Sequence, residues 1–139
     1  MKREIEFRGR TAKGEWVYGY HAKFRNFKIE VYSAIIPKDE ETGEGYMEDL
    51  HPVIPETVGQ YVGITDKNGK KVYVGDIIKV YYFNNEYVGK VVFNERTCGF
   101  EFWYNTVVGA YGEKATHKWN FAQFDKCEVI GNIFDKKGE

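Results

Sequence analysis

Residues 56–80 read ETVGQYVGITDKNGKKVYVGDIIKV, and their reading decides the fold. Residues 60–65, QYVGIT, are rich in strand formers. Residues 66–69, DKNG, fit a type I turn. Asp66 at its first position accepts hydrogen bonds from the amides ahead of it, and Gly69 supplies the left-handed residue of a bulge. Residues 70–74, KKVYV, then pair antiparallel with 60–65. Gly75 and Asp76 reverse the chain again, and residues 77–83, IIKVYYF, form a strand with at least one buried face. Reversals at such short intervals suit a small, strongly bent β-barrel better than a wide flat sheet.

Toward the N-terminus, residues 5–8 and 16–21 read as strands joined by the polar turn 11–15. Trp16, Tyr18 and Tyr20 fall on one face of the second strand, and Gly19 leaves room there for a neighbour or a bend. Residues 28–36, KIEVYSAII, form a third strand with Ile29, Val31, Ser33 and Ile35 facing one way, completing an antiparallel meander. Residues 38–50 carry six acidic side chains against Lys38 alone and predict an exposed, mobile loop. Pro52 and Pro55 mark an edge and place the boundary of two lobes, 1–54 and 55–139. Beyond residue 83, the pattern predicts a turn at 84–86, a strand over 87–93 with a bulge at Gly89, and a turn at 94–99. A strand at 100–104, an irregular excursion over 105–120, a helical turn at 121–124 and a last strand over 127–134 follow, with a frayed tail.

The stretch from Pro55 to Ile78, with the closing EVIGNIF of residues 128–134, resembles the YopX family of phage and prophage proteins. The opening IEFRG and the run WVYGY fit the family's N-terminal part. The resemblance implies a mainly β fold in which an N-terminal antiparallel β-meander packs on a small SH3-like β-barrel in the C-terminal half. It implies a phage or prophage accessory protein and brings no catalytic residues with it.

Composition sets further bounds. Aromatic residues make up 17% of the chain, which favours strands. A formal net charge of −1 gives the whole molecule no long-range pull on nucleic acid. No apolar run approaches the ~20 residues of a spanning helix. Residues 1–4, MKRE, lead straight into an alternating pattern without a leader, so a soluble, cytoplasmic protein with no membrane partner is expected. Cys98 and Cys127 read as two free thiols.

Candidate chemistry is sparse. His21, His51 and His117 are isolated. Cys98, His117 and Cys127 lack the close spacing that anchors a zinc site. Asp66 and Asp76 sit beside glycine turns, whose hydrogen bonds account for both. Ser33, the single serine, is in no nucleophile elbow, and no phosphate loop exists. No enzyme, cofactor or metal is expected. Residues 1–28 hold eight basic side chains against three glutamates, with aromatics interleaved. Arg8, Arg10, Lys23, Arg25 and Lys28 are therefore candidate nucleic-acid contacts, phosphates on the bases and stacking on the rings. The competing reading makes Trp16, Tyr18 and Tyr20 core and the charges a solvated face. The leading expectation is a protein-interaction or self-assembly module, whose partner is a phage or host protein or a second copy. The acidic 38–49 segment could meet the basic face of that copy.

Overall fold

A computed structural model describes residues 4–28, 30–121 and 126–135. Among these the protein is mainly β, with eleven strands and two 3-10 turns. No helix among the described residues is long and apolar enough to cross a membrane. The chain forms two compact units that divide between Gly63 and Ile64.

The first unit contains β1 (Phe7–Arg10), β2 (Trp16–Arg25), β3 (Val31–Pro37) and β4 (His51–Val53), followed by most of β5 (Gly59–Thr65). The expected meander is present, with β2 paired to β1 and β3, and β3 to β4. β5 returns to β1, with Phe7 opposite Gln60 and Arg8 opposite Gly59. That return moves the boundary from Pro55 to Gly63. The end of β4 also closes onto β1, because the Ile54 amide donates to the Arg10 carbonyl at 2.8 Å. Thr57, in the 3-10 turn Pro55–Thr57, stitches the same corner. Its Oγ1 accepts from the Arg10 amide at 2.8 Å and donates to the Ile54 carbonyl at 2.6 Å. A Cβ on Gly9 would lie 2.9 Å from the Val53 side chain, so the two strands meet only because that position has none. Register and burial place Ser33, Ile35 and Val53 inside. Tyr18 and Tyr20 lie on the exposed side of β2 rather than in the core.

The acidic segment carries hydrogen bonds of its own and one from β2. The Asp39 carboxylate accepts from the amides of Glu41 and Thr42 at 2.8 and 3.0 Å, and the Tyr20 hydroxyl donates to the Gly43 carbonyl. The 3-10 turn Met47–Asp49 then leads into β4. Lys38 turns back to Glu4 and Glu6, at 3.1 and 3.8 Å, leaving the acidic side chains of 39–49 exposed.

The second unit takes the end of β5, β6 (Lys71–Tyr73), β7 (Asp76–Tyr82), β8 (Asn85–Asn94), β9 (Gly99–Val108), β10 (Glu113–Asn120) and β11 (Lys126–Asn132). Its five-stranded antiparallel sheet runs β10-β9-β8-β7-β11. This order, with β10 and β11 at the edges, does not establish the SH3-like barrel expected in residues 55–139. Ile78, Val80, Val91, Phe102 and Cys127 share one face by register and are buried. Trp119 packs edge-on against Tyr87 and Tyr104, with ring centroids 4.9 and 5.2 Å apart.

Three expectations are corrected here. Residues 105–120 are not irregular: β9 runs on to Val108 and returns as β10 in unbroken register. Gly89 is not bulged but stays opposite Ile78, where a Cβ would come within 2.9 Å of the Phe102 ring. The register shift lies instead between Val129 and Gly131 on β11. The turn after β7 is at Phe83 and Asn84, not at 84–86. The helical turn placed at 121–124 lies, apart from Phe121, outside the described residues, as does Ile29.

Candidate functional site

The two aspartates of the opening stretch are structural pins. Asp66 is 7% exposed. Its Oδ1 accepts from the amides of Asn68 and Lys70, both at 2.9 Å, and closes the turn that Gly69 completes at φ +82°. Its Oδ2 accepts from the Val129 amide on β11 at 2.9 Å. One carboxylate therefore shapes a hairpin and ties it to a strand 63 residues away. Burial pushes the Asp66 carboxyl upward, but the amides of Val129, Lys70 and Asn68 outweigh it and hold it below the ordinary carboxylate range. Asp76, 1% exposed, accepts from the Tyr73 amide at 2.8 Å. Desolvation, with the nearby charges of Asp66 and Asp76, pushes the Cys127 thiol up to about 11. That sulfur is neutral and shielded, the opposite of an activated nucleophile.

The histidines and cysteines sit in separate surroundings. His117 Nε2 shares a hydrogen bond of 2.8 Å with Thr106 Oγ1 and stacks on Tyr104. Cys98 is exposed and Cys127 buried. Among the described residues no three His, Cys, Asp or Glu side chains are grouped to hold a metal ion. Burial, then the charge of Lys23, lowers the pKa of His21.

The basic N-terminal set is split. Arg8 is 4% exposed, with its guanidinium 4.4 Å from the Trp16 ring centroid. Arg10 lies 5.0 Å from the same ring and is half-buried. Register puts both beside Trp16 and Tyr18 on one face of the sheet. Lys23 and Arg25 alternate onto the other face, beside Ser33 and Val31. Lys23, Arg25 and Lys28 are exposed, whereas buried Arg8 is not placed to reach a phosphate.

One feature was missed from the sequence. The β7–β8 hairpin is closed by two residues with positive φ, Phe83 at 46° and Asn84 at 65°. Such two-residue turns favour asparagine, aspartate or glycine, and a bulky aromatic at positive φ is an outlier. Phe83 is nevertheless 78% exposed, stacked edge-on against the 39%-exposed Tyr82 at 4.4 Å. Lys67 and Lys126 border the shallow depression beside them. The smooth apolar alternation through residue 83 hid the turn, because Phe83 reads as the last residue of a strand.

These features define a two-unit, mainly β protein whose buried acidic groups serve the scaffold. The chain belongs to the YopX family: the family model, described as YopX protein, matches residues 6–137. No curated protein matches the chain.

Proposed function

We propose that the protein is a non-enzymatic accessory protein of phage or prophage type that works inside the cell by binding a protein partner. The observation that carries this reading is Phe83. A large aromatic side chain held in a left-handed backbone conformation costs about 1–2 kcal/mol. Local strain of this kind gathers at functional sites. The burial of Asp66 and Asp76 in backbone hydrogen bonds supports a non-enzymatic role, and family membership supports the phage association. The first unit adds a platform. Its order β4-β3-β2-β1-β5, with a 3-10 turn before β5, fits an SH3-like barrel, and we assign that fold to residues 7–63 instead of 55–139.

The test is affinity capture from expressing cells, with nuclease treatment, using the wild-type protein and Phe83→Asn. A protein retained by the wild type through nuclease treatment and lost with Phe83→Asn supports the reading. Equal capture by both rejects it. Self-association is a second reading, favoured by the exposed acidic side chains of residues 39–49 and the exposed Lys23, Arg25 and Lys28. It predicts an oligomer that dissociates as salt rises. A monomer at high concentration and low salt removes it.

A further inference from the structure

The outer face of the second unit's sheet holds a groove of about 600 Å³ across β7, β8, β9 and β10. Trp103 lies at its centre. By register, Lys90 on β8 and Lys118 on β10 stand directly beside it, one on each side. The Lys118 ammonium is 4.4 Å from the Trp103 ring centroid. The indole Nε1–H donates to Glu101 Oε1 at 2.8 Å, which fixes the orientation of the ring. Glu101 also accepts from Asn94 and Thr97, both at 2.9 Å. Val88 and Ile133 add exposed apolar surface to the lining, and Asn105 and Thr116 add polar groups.

We infer that this groove binds single-stranded nucleic acid: a base takes the place of the Lys118 ammonium over the Trp103 ring and rests on the neighbouring apolar side chains, while Lys90 and the released Lys118 hold the flanking phosphates. The match is one of shape and charge. A flat ring set between two cations suits a ligand that alternates flat rings with anions. The groove is open to solvent, so a chain can pass over it, and Asn105 and Thr116 offer partners to base edges. Glu101 shares this face, but its three donors hold it at the edge of the indole. The inference does not rest on Phe83, which lies at the end of the β7–β8 hairpin. It also differs from the N-terminal expectation, because Lys90, Trp103 and Lys118 stand side by side whereas Arg8 and Arg10 do not share a face with Lys23 and Arg25.

Binding of an end-labelled oligothymidylate of about 12 nucleotides, followed by anisotropy and tryptophan emission, tests it. The wild type is expected to bind at about 50 mM salt and to weaken as salt rises toward about 200 mM. Lys90→Gln with Lys118→Gln should reduce the slope of log K against log salt by about 1.4, or 0.7 for each phosphate no longer neutralised. Trp103→Leu should weaken binding about ten-fold or more. Thymidine monophosphate should bind far more weakly than the oligonucleotide. Amide NMR shifts of the unaltered protein give the same answer without a substitution, and should centre on residues 90, 103 and 118. No binding at about 50 mM salt overturns the inference. So do shifts centred elsewhere, a loss caused by Lys23→Glu with Arg25→Glu while the Lys90 and Lys118 variant binds normally, or monophosphate binding as tight as the oligonucleotide's. Capture of a protein partner through Phe83 is read separately after nuclease treatment, so failure of either reading leaves the other standing.

Discussion

Two hairpin turns in the second unit are built from opposite chemistry. The turn at 66–69 obeys every local rule: its aspartate accepts from the amides of Asn68 and Lys70, and a glycine takes the positive φ. The turn at Phe83 and Asn84 has a similarly tight path but sets a phenylalanine where asparagine or glycine belongs. The first turn hangs on a buried aspartate that is bonded to β11, whereas both residues of the second are exposed. Local chemistry that agrees with the fold marks scaffold. Local chemistry that works against it marks the place where something other than folding selects the residue.

Substitutions can break that contrast. The largest effect is expected from Asp66→Ala, which strands three backbone amides and releases β11. It should reduce stability by about 3 kcal/mol in urea unfolding, with little change in m. Gly69→Ala forces a Cβ into the left-handed region and should lower stability by about 1 kcal/mol, although open space surrounds that position. Phe83→Asn should do the reverse. Relief of strain outweighs the loss of an exposed contact with Tyr82, and stability should rise by roughly 0.5 kcal/mol. Acid sharpens the same distinction. The folded-state pKa of Asp66 is depressed, so its contribution is complete above the unfolded value of about 3.9 and is lost as pH falls through the folded value. Wild-type stability should drop below about pH 4, and Asp66→Asn should flatten that part of the profile. Thiol labelling adds a smaller check. In the native protein Cys98 should react and Cys127, with its pKa near 11, should not until unfolding.

Much of the scaffold was legible because it is local. The sequence DKNG specifies its own turn, and strand formers on both sides leave one pairing. The meander of the first unit followed from alternation in the same way. What was hidden depended on distance or on mixed chemistry. β10 was missed because its inward face is Ala115, His117 and Trp119, too varied to read as a buried row. Without β10, Lys118 had no place beside Trp103, and the groove could not be seen. Arg8 was read as exposed because charged residues usually are, and nothing local shows that Trp16 and the return of β5 cover it. The lobe boundary moved for the same reason, since the pairing of Gly59 and Gln60 with β1 is non-local.

Side-by-side urea unfolding of Asp66→Ala and Phe83→Asn tests the central claim most directly, that Asp66 and the turn it closes build the scaffold while the second hairpin tip is held against its own stability. The account predicts midpoints displaced in opposite directions, Asp66→Ala well below the wild type and Phe83→Asn at or above it. An Asp66→Ala protein as stable as the wild type, or a Phe83→Asn protein that unfolds with it at a much lower midpoint, would contradict the account.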